Sequence, residues 1–516
     1  MSDLLKSMYS TYDILLGGRQ PLEPSVKRFI NWEEACQMIK DNFTRNGLFL
    51  IHGDVDVDGI FSAKEAYEWV CCFTTKDKVA CCINTEKIHG INEKHVEVFS
   101  NVAGSNDLVI ILDSSTNMID YIKKMRCNVL VVDHHEVTVP IEQLKGDTAG
   151  GKYVVVNNMI GPDAEPTMSG ALVLYELLRM YQYKFLGGVD YLSAMKLYQY
   201  VGVTLFTDAI PLDTERNQWY INKTIESKEL EKDLYKIVQS INPYQHMLDK
   251  SFINYSLAPM INRGVREGLS PTVLNKVIYE PDKINELAYL KEKHNAIRDG
   301  AMGGVLQYTK FCIKDITNTG ISPNFCGLLA MKVLEDTGKT SCCYMVNNGI
   351  AKGSFRGLDR SVDYRAIINS IPNCKAEGHQ SAFGFEIPVD YIADVMNYVV
   401  SVEKNRYGQP FMTIGPMFND KKGICHYETL DQPKREQLIY KIALINSKML
   451  DNDSLMIVCA NIPAMVKFVR MDGKVYIYDV YGLECKGFEE MRTPFVEIYA
   501  EYRRGMECYV RTLRDY

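Results

Sequence analysis

The stretch Gly47-Leu-Phe-Leu-Ile-His52-Gly-Asp54-Val-Asp56-Val-Asp58-Gly59 sets a short apolar run directly before three alternating carboxylates. The run Gly47 to Ile51 is continuous, apolar and too short for a helix, so it reads as a buried strand that delivers its acids at its carboxyl end. Two further stretches repeat the arrangement. Leu108 to Leu112 leads into Asp113-Ser-Ser, and Asn128 to Val132 leads into Asp133-His134-His135. A fourth, Thr207-Asp208, ends a helical pattern. Carboxylates mixed with imidazoles suit hard divalent ions such as Mg²⁺ or Mn²⁺. Open α/β sheets place their ligands at the carboxyl ends of strands, where these residues would lie.

Asp54, Asp56, Asp58, Gly59 and Glu65 also satisfy the EF-hand calcium-loop pattern. Such a loop must be entered from a helix, and Gly-Leu-Phe-Leu-Ile before Asp54 reads as a strand, so the context favours the sheet.

The order and wording of the four stretches resemble the DHH phosphoesterase superfamily, and within it the RecJ-type single-strand nucleases. Asn157-Asn158, then Met168-Ser-Gly-Ala-Leu-Val-Leu-Tyr-Glu-Leu-Leu, resemble the segment that follows the Asp-His-His motif, and Thr207-Asp-Ala-Ile-Pro-Leu-Asp213 resembles the fourth motif. Leu257-Ala-Pro-Met-Ile-Asn-Arg-Gly-Val-Arg266 is similar to a RecJ-type signature. Lys352-Gly-Ser-Phe-Arg356 and Gly378-His379-Gln-Ser-Ala-Phe-Gly-Phe385 are similar to the companion DHHA1 domain. The likeness spans Phe49 to Phe385, most of the chain.

The resemblance implies two Mn²⁺ or Mg²⁺ ions per site, with Asp113 as the bridge. One ion would be held by Asp56 with His52 or Asp54, the other by Asp58, His134 and Asp208. Asp133 would orient a histidine, and His135 would face the scissile phosphate. Ser354 and Arg356, two apart in a strand and so on one face, would hold a terminal phosphate; Asn262 and Arg266 would contact phosphate from the metal domain, and His379 would approach the scissile phosphate. The chain departs from the family pattern at Glu377, where a glycine is usual, at Met260, where a basic residue is common, and across Asn84-Thr-Glu-Lys-Ile-His89-Gly90, where an arginine often used for end binding is missing.

A chain of 516 residues exceeds one ordinary core and predicts two to four domains. With 46% apolar and 24% charged residues it reads as globular and soluble. No apolar run has spanning length and Met1 to Ser10 carries no secretory pattern, so the expected location is the cytoplasm, with no membrane contact. Fifteen cysteines, an odd number, with no export signal read as reduced thiols; Cys71-Cys72, Cys81-Cys82 and Cys342-Cys343 lack the spacing of a zinc knuckle. The net charge of −7 excludes a protein that coats nucleic acid along its whole surface, yet a nuclease tolerates it because metal-binding carboxylates are neutralised by their ions.

Five segments follow. Residues 1–46 form a helical lead-in, with amphipathic spacing over Asn31 to Lys40; 47–279 form the metal domain, where strands alternating with helices such as Gly59 to Phe73 and His95 to Ser100 predict a parallel sheet. Helices are expected at 168–184 and 190–207. Residues 280–310, rich in Glu, Lys, Leu and Ala, read as a long connecting helix to a smaller α/β domain over 311–404, with strands at Cys342 to Met345 and Ala351 to Phe355 and helices at Asp363 to Ser370 and Val389 to Glu403. Residues 405–516 read as an appendage, either mixed α/β or an oligonucleotide-binding barrel. There Val466 to Asp479 is a hairpin around Asp472-Gly473, a helix is expected near Gln432 to Leu450, and the tail looks helical. This appendage would be the docking surface for protein partners.

The activity expected from the resemblance is Mn²⁺- or Mg²⁺-dependent, 5′ to 3′ removal of mononucleotides from single-stranded DNA, serving recombination, repair or replication. Smaller DHH/DHHA1 proteins act on short RNA or cyclic dinucleotides, but lack the Arg266 signature and the appended region. A non-catalytic replication or repair scaffold is the alternative from another class; such relatives typically lack several ligands, whereas this chain retains each proposed one.

Overall fold

The structure, a computed structural model, describes residues 24–25 and 28–402 apart from 85–88, 209, 211–213, 250–251, 338 and 358–361, and beyond them the backbone of strands between 413 and 515. The chain divides into two units, Pro21–Glu292 and one carrying Lys293–Tyr516.

The first unit is built on a six-stranded sheet. Its elements in order are α1 (Trp32–Arg45), β1 (Phe49–Gly53), α2 (Val57–Cys71), β2 (Val79–Ile83), α3 (Glu93–Val102), β3 (Leu108–Leu112), β4 (Asn128–Asp133), β5 (Lys145–Asp147), β6 (Lys152–Asn157), α4 (Gly170–Phe185), α5 (Tyr198–Thr207), α6 (Glu215–Ile225), α7 (Lys232–Ile241), α8 (Ala258–Arg266) and α9 (Ser270–Ile278). The strand order is β2-β1-β3-β4-β6-β5. All neighbours pair in parallel except β5 with β6. Strands β1 and β3 are buried at every residue. A central strand covered on both faces needs such an apolar run rather than alternation, which is why Leu108–Leu112 was legible as a strand. One face is packed by a core that includes Ile51, Ile110, Phe61, Leu172 and Val201, the other by one that includes Leu50, Val109, Phe99 and Ile119.

The helix expected over 190–207 is two pieces, Tyr191–Ala194 and α5, because Lys196 between them takes a left-handed φ of 60° that a continuous helix cannot contain. The long helix expected over 280–310 is also absent. Residues Pro281–Leu287 form a 3-10 helix, α10 covers only Leu290–Asp299, and a turn with Gly304 at φ 70° ends it before β7 (Val305–Gln307). The cause lies in the spacing of Pro281, Ile284, Leu287 and Leu290, all buried: steps of three align along one face at three residues per turn, not at 3.6.

The second unit continues with β8 (Phe311–Asp315), α11 (Cys326–Thr337), β9 (Thr340–Asn347), β10 (Ile350–Arg356), α12 (Tyr364–Asn369), β11 (Lys375–His379), β12 (Ala382–Pro388) and α13 (Ile392–Ser401). Its sheet runs β11-β12-β10-β9-β8-β7, with only β8 and β9 parallel. Phe355 and Phe383 face the core under α12 and α13, while Cys343 and Cys312 face α11.

Beyond residue 412 the described backbone is all strand. A two-stranded sheet (Thr413–Ile414 with Tyr427–Glu428) precedes a seven-stranded one, in which Ile462–Met471 and Lys474–Asp479 form the expected hairpin. The expected helices are contradicted: Tyr440–Ala443 is a strand inside the proposed 432–450 helix, and the tail is the antiparallel pair Phe495–Arg503 and Glu507–Asp515. Aromatic and β-branched residues fill that tail, and their preference for a pleated surface prevails over helical spacing. Most of the 1–46 lead-in, the Asp472-Gly473 turn, Thr85 to Ile88 and Pro211 to Asp213 lie outside the described residues.

Candidate functional site

Strand order reverses between β1 and β3: the chain leaves β1 for β2 on one side and returns to β3 on the other. Such a switch point opens a crevice at the carboxyl ends of the two strands. Asp54 and Asp56 leave the end of β1 there, and Asp113 leaves the end of β3. Asp133 closes β4 next door. Asp113 takes a left-handed φ of 62°, uncommon for a residue with a side chain, while its N–H donates to the Val132 carbonyl at 2.9 Å and so anchors the strained residue to β4.

Helix starts hold the acids in place. Asp56 is the N-cap of α2, its Oδ1 accepting the Gly59 N–H at 3.0 Å. Asp58, in the first turn of α2, accepts the Gly170 and Ala171 N–H groups at 2.6 and 3.0 Å. Its carboxylate therefore sits on the N-terminus of α4, where the helix dipole favours an anion. Residue 170 must be glycine, since a Cβ there would lie 2.6 Å from Asp113 Oδ1.

His134 bears on what this assembly could hold. Its Nδ1 donates to the Met168 carbonyl at 2.8 Å, which puts the ring proton on that nitrogen. The opposite nitrogen, Nε2, then turns a lone pair toward carboxylate oxygens of Asp113 at 3.1 Å, Asp208 at 3.6 Å and Asp58 at 4.0 Å. Acceptors aimed at acceptors are reconciled by a cation. Three overlapping groups converge closely enough to hold a metal ion: Asp58, His134 and Asp208; Asp54, Asp56 and Asp113; and Asp113, His134 and His135. Asp54 Oδ1 and Asp113 Oδ1 are buried and have no hydrogen-bond partner. Burial raises the Asp58 carboxyl to about 7, with Asp208 and Asp56 adding their charge, and burial with four neighbouring aspartates pushes Asp113 well above the usual carboxylate range. The donor set, hard oxygens with imidazole, fits Mn²⁺ or Mg²⁺.

Asp133 plays a different part. Its Oδ1 accepts the His134 and His135 backbone N–H groups at 2.7 and 3.1 Å and His135 Nδ1 at 2.8 Å, while Oδ2 accepts the Thr116 N–H at 3.0 Å. Although burial opposes ionisation, the His135 imidazole and these donors hold Asp133 below the ordinary carboxylate range. His135 is thereby fixed with its proton on Nδ1. Asn157, at the end of β6, braces the turn through Thr116 Oγ1 at 3.0 Å and the His135 carbonyl at 2.9 Å.

His52 is not brought into this cluster. Alternation along β1 turns it to the α3 side, where its ring lies 5.2 Å from His95 and 5.3 Å from Phe99, and burial lowers its imidazole to about 3. Its place beside the acids is taken by His89, whose Nδ1 lies 2.5 Å from Asp54 Oδ2 and whose ring meets His135 edge-on at 4.4 Å. The EF-hand reading fails because α2 begins at Val57, inside the loop it requires, and Glu65 is buried within that helix.

In the second unit the register assembles a row. Arg356 lies opposite Ala382 and Ala382 opposite His379; Ser354 lies opposite Gly384 and Gly384 opposite Glu377. Directly opposed residues share a face, so Ser354, Arg356, Glu377 and His379 border a floor of two small residues. The start of α11 closes in, since a Cβ at Gly327 would lie 2.8 Å from Arg356 Nη2 and 3.5 Å from Ser354 Oγ. Burial lowers the Arg356 guanidinium to about 10; its Nη1 donates to the Phe355 carbonyl at 2.6 Å. Asn262 and Arg266 lie one turn apart on α8, both half-buried, whereas Met260 is buried in the core and does not replace a surface cation.

A family model described as "DHH family, N-terminal domain" matches residues 48–202, the span from β1 to within α5. RecJ from Thermus thermophilus in complex with Mn²⁺ is similar in structure at a TM-score of 0.65 and 15% identity, over 99% of this chain and 76% of that one; its Mg²⁺ complex gives 0.59 over the same shares. Exonuclease RecJ bound to manganese gives 0.53 at 16% identity, over 73% of this chain and 95% of that one. No curated protein matches by sequence. Among the described residues no helix is long and apolar enough to cross a membrane, and the eleven cysteines from Cys36 to Cys374 are free. Residues 48–202 thus match the N-terminal domain of the DHH family, and the chain is similar in fold to RecJ.

Proposed function

We propose that this chain is a metal-dependent phosphodiesterase that removes mononucleotides from single-stranded DNA in the 5′ to 3′ direction, as a RecJ-like exonuclease. The observation that carries the reading is the sharing of Asp113 between two metal-sized groups at the switch point of the sheet. Asp54, Asp56 and Asp113 would hold one Mn²⁺ or Mg²⁺, and Asp58, His134, Asp208 and Asp113 the other. Such a pair would supply an acidified water and neutralise charge on the phosphate.

The chain's own residues supply the rest. Asp133 keeps the proton of His135 on Nδ1, so Nε2 bears the lone pair available to a phosphate-bound proton. The α4 start holds Asp58 in one rotamer before any ion arrives. Ser354 and Arg356 offer a hydroxyl and a guanidinium to a terminal phosphate, with His379 on the same face; Asn262 and Arg266 would add contacts on the metal-binding unit.

The test is cleavage by the purified full chain, with Mn²⁺, of 5′-labelled and 3′-labelled single-stranded DNA beside short RNA and a cyclic dinucleotide, with Asp113→Ala as control. Immediate release of labelled mononucleotide from the 5′ end, lost in the control, is expected. Turnover of only the short substrates would replace this reading by a small-nucleotide phosphodiesterase, and no cleavage of any substrate would favour a scaffold.

A further inference from the structure

His89 lies in the loosely matching stretch Asn84 to Gly90 and is none of the expected ligands, yet it touches the ends of two strands. It follows β2 and precedes Gly90, whose φ of 74° turns the chain and whose carbonyl accepts the Asn84 Nδ2–H at 2.9 Å. A Cβ at Gly90 would lie 3.2 Å from Ser115 Oγ, so this turn is seated beside the segment that carries Asp113. From there the His89 ring reaches Asp54 Oδ2 at 2.5 Å beyond β1, and lies edge-on to His135 beyond β4. His135 is itself held by Asp133 at 2.8 Å. Two carboxylate–imidazole pairs thus meet ring to ring.

The two oxygens of Asp54 are therefore unlike. Oδ2 is occupied by His89, while Oδ1 is buried with no hydrogen-bond partner in the group that Asp54 forms with Asp56 and Asp113. The His89 side chain is 41% exposed and that of Asp54 5%, so the histidine is the outer member of the pair and the carboxylate the inner.

We propose that His89 is a positioning residue for the ion held by Asp54, Asp56 and Asp113: its Nδ1–H engages Oδ2 and presents Oδ1 to the cation, while its ring steadies His135. This rests on the two-ion reading above. A partner that orients a metal-binding carboxylate typically contributes roughly 10–100-fold to metal affinity.

The experiment is Mn²⁺ titration of the full chain by calorimetry, for the wild type, His89→Ala and His89→Asn, with melting temperatures recorded for each. Asn carries an N–H donor near the position of Nδ1. His89→Ala is expected to weaken one of two Mn²⁺ ions by roughly 10–100-fold, with the second ion and the metal-free melting temperature unchanged, and His89→Asn to restore most of the loss. Unchanged affinity for both ions in His89→Ala would overturn the proposal, as would equal loss in Ala and Asn variants accompanied by a lowered melting temperature. A wild type that takes up no Mn²⁺ would remove the two-ion reading and this inference together, whereas failure in the variants alone leaves that reading standing.

Discussion

The carboxyl ends of β1, β3 and β4 and the face around β10 are opposite electrostatic problems. In the first unit, burial and mutual repulsion raise the carboxyls of Asp58 and Asp113, and a histidine lone pair is added to them. In the second, burial depresses the Arg356 guanidinium. The first region concentrates negative charge, whereas the second buries a cation on a face that also carries Glu377 and His379. A divalent cation would relieve the first and an anion the second, and the proposed function draws on both. The means of support also differ: strand ends, a strained Asp113 and helix starts fix the acids, whereas Ser354 and Arg356 depend on strand alternation and a close α11.

The contrast breaks first at Asp113. Asp113→Ala should lower cleavage by more than the roughly 10–100-fold expected for a supporting residue, and cleavage rates at saturating Mn²⁺ would read it; a fall of a few-fold would remove the shared ligand from the account. Next comes the anion side. Arg356→Ala should raise KM for a 5′-phosphorylated strand by about 10–100-fold, the equivalent of a charge-assisted hydrogen bond of about 1.5–3 kcal/mol, with little change for a strand lacking that phosphate. Arg356→Lys should restore only part, because the fork is lost.

A smaller effect is on stability. Asp58 titrates at about 7 in the folded, metal-free chain, whereas an unfolded aspartate titrates near ~3.9. The folded state therefore binds more protons between those values, so the stabilisation present at low pH is lost as pH rises toward 7. Melting temperatures of metal-free protein should fall over that window, and Mn²⁺ should raise them most at its upper end, because binding displaces protons. Melting that rises with pH without metal would contradict the crowding of the acids. The smallest effect is at His52: His52→Leu should leave Mn²⁺ affinity unchanged in calorimetry, and a tenfold loss would return it to the ligands.

What could be read in the sequence was what short range decides. Leu108–Leu112 followed by Asp113, and Asn128–Asp133 followed by two histidines, each carry strand and site in one stretch. His52 points away from the acids because a strand's alternation aims it at Phe99, while His89 reaches Asp54 across 35 positions, a contact that spacing along the chain does not show. The 3-10 segment at Pro281–Leu287 was legible in its steps of three, but its Glu and Lys content suggested a regular helix. The row joining Arg356 to His379 needed the register of three strands, which no single stretch holds.

Electron paramagnetic resonance of the full chain titrated with Mn²⁺ addresses the shared carboxylate directly. Two ions per chain with the exchange-coupled spectrum of a carboxylate-bridged pair, reduced to isolated or absent Mn²⁺ signals in Asp113→Ala, is the result expected. A single uncoupled ion in the wild type, or a coupled pair that persists in Asp113→Ala, would contradict it.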